Sequence, residues 1–183
     1  FPDDLGEKFK YCFKFNFQED GIMGLFSKLL KGPQPDMEKS AANEKKVRAL
    51  FDQVVENGEK YRLIVGYTED VKRFNYGFVH GSKTQIGNLI VGWNEDTKTI
   101  VAVPTVPDLS GCGDPTYYRR EEILKAYRNK YPTDAFIIYP DRNGYIGINA
   151  YEWLDDEKLY VYLYQKEELE AFTAFFQNSF STK

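Results

Sequence analysis

Short runs of alternating or apolar residues, each closed by turn-forming residues, occupy most of the sequence between residues 61 and 164. Alternation with a period of two is typical of half-buried strands, whereas amphipathic helices repeat about every 3.6 residues. The runs predict strands at 61–67, 74–78, 86–93, 99–103, 136–139, 145–151 and 159–164. A chain with this many short strands is restricted to folds built around a sheet.

The segments between these strands carry turn chemistry. Residues 94–98 read Asn-Glu-Asp-Thr-Lys and residues 140–144 read Pro-Asp-Arg-Asn-Gly. Asn, Asp and Gly favour tight turns, so both segments predict antiparallel hairpins. The charged pair Glu69 and Asp70 predicts a further turn between the first two strands.

Three segments have helical periodicity instead. The first has its apolar stripe at Val47, Leu50, Phe51, Val54 and Val55. The second is predicted to start at Asp114 as N-cap, with Pro115 in the first turn, and to bury Ile123, Leu124, Tyr127 and Tyr131. The last carries Leu169, Phe172, Phe176 and Phe180 on one face.

This order of elements predicts the fold class. Strands joined by tight turns and interrupted by isolated helices favour α+β over the regular alternation of a parallel α/β fold. We expect a largely antiparallel curved sheet or partial barrel with two to three packed helices, including a C-terminal helix.

A proline-rich break divides the chain. Pro33 and Pro35 in the segment 32–36 prevent a helix from continuing through it. We therefore predict an N-terminal extension over residues 1–36 and a single α+β domain over residues 37–183.

Residues 1–22 have two interpretations that the sequence leaves open. Gln18-Glu19-Asp20 can be encoded by codons containing a purine-rich ribosome-binding sequence, which makes Met23 a candidate start and the origin bacterial. Against a non-native leader, Phe9, Tyr11, Phe13, Phe15 and Phe17 alternate as in a strand.

Residues 23–31 form a short basic amphipathic segment. Such a segment favours either docking on the protein body or peripheral contact with an anionic membrane. The apolar runs are far shorter than the roughly 20 residues that a transmembrane helix needs, so we predict no transmembrane segment.

Composition argues against several classes of partner. With 24 Lys and Arg against 28 Asp and Glu, the formal net charge is −4, and no basic block offers a phosphate-binding face. We therefore predict no nucleic-acid partner. One histidine and two cysteines without metal-ligand spacing predict no metal site, and no cofactor motif is present. The absence of a glycosylation acceptor and the low cysteine content favour a cytoplasmic location.

The tyrosines are a further unusual feature of the sequence, with 14 in 183 residues. Exposed aromatic faces are typical of binding surfaces. The residues predicted to form such a ligand-binding platform are Tyr160, Tyr162, Tyr164, Trp153 and Tyr145. The leading hypothesis is a non-catalytic bacterial binding or interaction domain for an unknown protein or small-molecule ligand. A sheet with both faces covered is the structural alternative.

A thiol-dependent hydrolase or acyl transferase is the alternative function. Cys112 lies between two glycines just before the predicted helix start at Asp114, where helix N-terminal N–H groups would stabilise a thiolate. His80 is the single histidine and hence the one imidazole that can act as its base. The sequence does not say whether the two residues are close in space.

Overall fold

The computed structural model describes residues 34–76, 79–131, 133–142 and 144–182, and over residues 70–85 it describes the backbone alone. Residues Pro35–Lys183 form one compact unit. Its elements are α1 (Met37–Val54), a 3-10 turn (Gly58–Lys60), β1 (Arg62–Tyr76), β2 (Val79–Asn94), β3 (Thr99–Thr105), β4 (Thr116–Arg119), β5 (Lys125–Asn129), β6 (Ala135–Tyr139), β7 (Ile146–Asn149), β8 (Trp153–Leu154), β9 (Leu163–Tyr164), α2 (Lys166–Phe175) and a π-helical turn (Phe176–Phe180).

Seven strands form one antiparallel sheet in the order β4-β3-β2-β1-β7-β6-β5, and β8 pairs with β9 separately. The predicted hairpins over 94–98 and 140–144 are the β2–β3 and β6–β7 connections. The mixed α+β architecture with a C-terminal helix is therefore confirmed. The curvature of the sheet, and its closure as a partial barrel, stay predictions.

One face of the sheet packs against α1. The Asp36 carboxylate caps this helix by accepting a hydrogen bond from the Lys39 N–H at 3.0 Å. Phe51 is fully buried, and it presses so closely on β2 that a Cβ on Gly92 would lie 2.3 Å from its ring. The cluster beneath the helix combines apolar residues of α1, β1, β2 and β3 with Val161 and Leu163.

The opposite face packs against α2 and the π-helical turn. Phe172 and Phe176 contact the Phe136 ring with centroid distances of 4.8 and 5.0 Å, and Phe172 also lies edge-on to Trp93 at 5.3 Å. This larger cluster includes Tyr118 of β4 and Ala126 of β5, which belong to the two edge strands of the sheet. A single phenylalanine-rich core thus contacts both edges.

The segment 155–165 is tied to the α1 face by polar side chains. Gln165, which is buried, accepts from the Val65 N–H at 2.7 Å and donates to the Val65 and Tyr151 carbonyls at 2.7 and 2.9 Å. Asn88 donates to the Leu159 carbonyl and accepts from the Val161 N–H. These bonds satisfy buried backbone groups that no strand ladder reaches.

Strands β1 and β2 continue well past the sheet. Pairing of β2 with β3 starts at Asn88, and pairing of β1 with β7 is at Tyr67. Beyond these positions, from Thr68 opposite Gly87 to Tyr76 opposite Val79, the two strands pair with each other alone within the described part of the chain. We call this two-stranded extension the hairpin arm.

The predicted helix starting at Asp114 is wrong. Residues Thr116–Arg119 and Lys125–Asn129 are the edge strands β4 and β5. Two residues assigned to its buried stripe are instead strongly exposed, Leu124 at 55% and Tyr131 at 85%. The β-favouring sequence Thr-Tyr-Tyr and the pairing of β4 with β3 outweigh a few residues at helical spacing.

Two strand predictions need correction as well. Glu69 and Asp70 do not form a turn, because β1 runs through them and pairs them with Ile86 and Gln85. Within 159–164 just Leu163 and Tyr164 form a strand, since Asn88 holds the residues before them through side-chain bonds.

The leader or strand at residues 1–22 and the amphipathic segment at 23–31 lie outside the described residues. The boundary between an extension over 1–36 and a domain over 37–183 stays a prediction. Within the described ranges, no helix is long and apolar enough to cross a membrane.

Candidate functional site: a tyrosine surface on strands β5, β6 and β7

Three tyrosines lie side by side on the sheet face opposite α2. Alternate residues Ala126, Phe136, Ile138, Ile146 and Ile148 pack in the α2 core. Because side chains alternate along a strand, Tyr127, Tyr139 and Tyr145 belong to the other face. We call these three residues the tyrosine surface.

The rings of the tyrosine surface contact one another across neighbouring strands. Tyr127 and Tyr139 stack with centroids 6.3 Å apart and an interplanar angle of 16°, and Tyr145 lies 5.2 Å from Tyr139. Lys125, opposite Tyr139 in the register, places its ammonium group 4.7 Å from the Tyr127 centroid. The result is a continuous aromatic strip with a cation at one end.

Local sequence fixes this arrangement. The β6–β7 hairpin pairs Ile138 with Ile146. The next residues toward the turn, Tyr139 and Tyr145, therefore lie opposite each other where the turn begins and ends. Gly147 has no side chain, and a Cβ there would lie 3.3 Å from Ile137 and 3.9 Å from the Tyr145 ring. A side chain at position 147 would therefore press on Ile137, whereas its approach to the Tyr145 ring would be an ordinary van der Waals contact.

The tyrosine surface combines apolar area with polar groups. A hydrogen bond between the Tyr139 and Tyr127 hydroxyls, followed by partial burial, raises the pKa of Tyr139, and the Lys125 charge opposes this shift. Tyr145 is 64% exposed. The cluster beneath α1 includes no described residue of β5, β6 or β7, so α1 does not cover the strip.

The other predicted platform residues lie elsewhere. Tyr162 is buried beside Trp153 at 6.2 Å, and its hydroxyl accepts from the Asp36 N–H at the start of α1. Tyr160 packs on Tyr67 at 4.7 Å. Tyr164 is half-buried in β9, and a hydrogen bond to Glu152 raises the pKa of its hydroxyl.

Trp153 and Tyr162 thus contact each other, whereas the ring contact of Tyr145 among the described residues is with Tyr139. Tyr160 joins a further group with Tyr67 and Tyr151, whose rings stack at 6.1 Å. Sequence reasoning missed Tyr127 and Tyr139 as partners of Tyr145. Closing the predicted hairpin over 140–144 would have placed Tyr139 next to Tyr145, so that signal was present.

Cys112 and His80 lie on different parts of the fold. Cys112 is a free, half-buried thiol whose sulfur lies 3.7 Å from the Leu50 carbonyl, and its backbone bridges Thr105. Thr105 pairs with Asn88, and His80 is eight positions further along β2. Eight residues of strand span about 27 Å, so the register does not bring the imidazole to the thiol.

The helix that was predicted to stabilise a Cys112 thiolate is not found after this residue. Strand β4 follows it where the sequence predicted a helix, so in the described chain no helix begins directly after the thiol. The Cys112 thiol donates a hydrogen bond to the Leu50 carbonyl, and the side chain packs against the α1 cluster. A catalytic role for Cys112 stays a prediction.

The described part of the chain contains no group of three or more His, Cys, Asp or Glu side chains that could hold a metal ion. No protein-family model, curated protein or solved structure matches the chain. The candidate site therefore rests on its own geometry.

Proposed function

We propose that the protein is a non-catalytic binding domain and that the tyrosine surface is where its partner docks. The observation that carries this proposal is the strip of three contacting tyrosine rings on the sheet, which neither helix of the described part of the chain covers and in which Tyr145 is 64% exposed. Tyrosine supplies large contact area with little loss of conformational freedom, which is why it is enriched where partners bind. The cytoplasmic location and bacterial origin stay predictions.

The curvature of the sheet is part of this proposal. Arg119 and Lys125, the ends of the two edge strands, are joined by residues 120–124 alone. Six chain steps reach at most about 21 Å, whereas the edges of a flat seven-stranded sheet would be about 29 Å apart. The short connection supports a sheet that curves around α2 as a partial barrel, which would place the tyrosine surface on the outer side.

We expect a protein partner, because the three rings lie along a sheet face, and the cleft found within the described residues is lined by other residues. The test is quantitative affinity capture from an extract of the source organism on the immobilised protein. Tyr139→Ser/Tyr145→Ser removes two of the three rings, and Tyr131→Ser/Leu159→Ser removes two exposed apolar side chains that belong to neither the tyrosine surface nor any other site. The proposal predicts a saturable partner retained by wild type and by the control but lost with the strip variant.

Equal retention by all three proteins would contradict the proposal. Circular dichroism of each variant separates a lost surface from a lost fold. The thiol-enzyme alternative is tested in parallel by ester hydrolysis with and without Cys112→Ser. A hydrolysis rate that depends on Cys112 would replace the binding proposal by the enzymatic one.

A further inference from the structure

A polar cleft of about 470 Å³ lies beside the edge strand β4, away from the residues of the tyrosine surface. Its walls include Tyr61, Asp96, Thr99, Tyr117, Arg119 and Glu121. The volume falls within the range of about 300–1,000 Å³ that is usual for small-molecule sites. We call this the polar cleft.

The uncompensated charge of the polar cleft is negative. The Arg119 guanidinium donates to both carboxylate oxygens of Glu122 at 3.1 and 3.2 Å, so its charge is already matched. Within the described residues, neither Asp96 nor Glu121 has an ion-pair partner. A ligand in the cleft therefore meets two carboxylates that are free to bind a cation.

Two tyrosine rings line the same space. Tyr61 is fixed against Phe51 at a centroid distance of 5.7 Å, and Tyr117 is held in β4 opposite Val101 of β3. Burial and the neighbouring Tyr117 raise the pKa of Tyr61, while Arg119 opposes the shift. The hydroxyl thus stays neutral at ordinary pH. The Arg119 guanidinium already lies 6.0 Å from the Tyr117 centroid, so Tyr61 is the ring left to attract a ligand cation through its quadrupole.

We propose that the polar cleft binds a small organic cation carrying primary ammonium groups. Ammonium groups would donate to the Asp96 and Glu121 carboxylates, and the attached methylene chain would pack against Tyr61 and Tyr117. An anion is disfavoured because the two unpaired carboxylates repel it. A neutral ligand leaves both carboxylates without a matching charge.

The test is titration of the full chain with putrescine, a four-carbon diamine, followed by NMR of the backbone amides at low salt. 1,4-Butanediol has the same carbon chain without charge and is the matched ligand control. Putrescine is expected to shift the amides of residues 96–99 and 117–121 saturably and to weaken with added salt. Butanediol is expected to leave them unchanged.

Charge-neutral variants locate the site. Asp96→Asn/Glu121→Gln is expected to raise the Kd for putrescine at least about tenfold, whereas Glu56→Gln/Glu95→Gln removes two exposed charges outside the cleft and is expected to leave it nearly unchanged. All four side chains are exposed, so the variants are expected to fold. Tyr117→Ala is expected to weaken binding and Tyr117→Phe to retain it.

Three outcomes would overturn the proposal. They are equal binding of butanediol and putrescine, equal affinity of the cleft variant and its control, and tighter binding of inorganic phosphate than of putrescine. Since the cleft shares no residue with the tyrosine surface, this result and the capture experiment stand or fall separately.

Discussion

Gln165 illustrates how single polar side chains hold this fold together. Its amide makes three hydrogen bonds of 2.7–2.9 Å to the backbone of Val65 and Tyr151. Replacement by alanine leaves a buried N–H and carbonyl of β1 unsatisfied. We expect Gln165→Ala to lower the free energy of unfolding by about 2–4 kcal/mol.

Urea unfolding of Gln165→Ala and of Gln53→Ala, an exposed glutamine in α1, measures this loss. The control is expected to change stability by less than about 0.5 kcal/mol. A similar small change in both variants would show that the Gln165 bonds are replaceable by water.

The buried hydroxyl of Tyr67 is expected to make the stability of the protein depend on pH. Burial, then a hydrogen bond to Tyr151, raises the pKa of Tyr67 above its ordinary value of 10.0. The phenol of Tyr67 therefore ionises at a lower pH in the unfolded chain than in the folded protein. The contribution of the neutral Tyr67 phenol to the free energy of unfolding is complete below about pH 10 and is lost as the pH rises beyond it. We expect Tyr67→Phe to reduce the decline in urea midpoint above about pH 10.

The exposed Tyr145→Phe is the control for this measurement. It is expected to follow the wild-type decline. If Tyr67→Phe followed it too, ionisation of Tyr67 would not be coupled to unfolding.

At the scale of single elements, the sequence correctly predicted the helices and hairpins whose own residues show a clear local pattern. Helix α1 and the β2–β3 and β6–β7 hairpins combine apolar runs with local cap or turn residues. Helix α2 has an apolar stripe that is strong enough to predict the helix without a side-chain cap. Strands β4 and β5 have four and five residues and no such signal, so pairing with β3 and β6 decides their state. Residues at 123, 127 and 131 match a helical spacing by coincidence.

The same distinction holds for the candidate site. Tyr145 was predicted as a binding residue from its residue type. The hairpin predicted over 140–144 also places Tyr139 opposite Tyr145, so Tyr139 could have been predicted with it. Tyr127 was out of reach, because the sequence placed it in a helix. The pairing of Tyr127 with Ile137 across β5 and β6 depends on a long-range contact that periodicity does not encode.

Helix α1 gives a prediction at the element scale. Asp36 accepts a hydrogen bond from the Lys39 N–H and caps the first turn. We expect Asp36→Ala to destabilise the protein by about 1 kcal/mol and Asp36→Ser to keep most of the stability. Thermal unfolding compares the two, and equal melting temperatures would mean that the cap contributes nothing.

At the scale of the whole molecule, the sheet body and the hairpin arm are separable by register. Pairing with β3 and β7 ends at Asn88 and Tyr67, before the arm begins. We expect replacement of residues 70–85 by a two-residue Asn-Gly turn to leave the body folded. Thermal unfolding and circular dichroism test this, and loss of the cooperative transition would show that the body depends on the arm.

The central claim is that the tyrosine surface is an open docking face. Hydroxyl-radical footprinting, read by mass spectrometry with and without the captured partner, tests it most directly. We predict that Tyr139 and Tyr145 are oxidised in the free protein and protected in the complex, while the buried Tyr118 and Tyr162 are unreactive in both. Unchanged oxidation of Tyr139 and Tyr145 in the complex would contradict the claim.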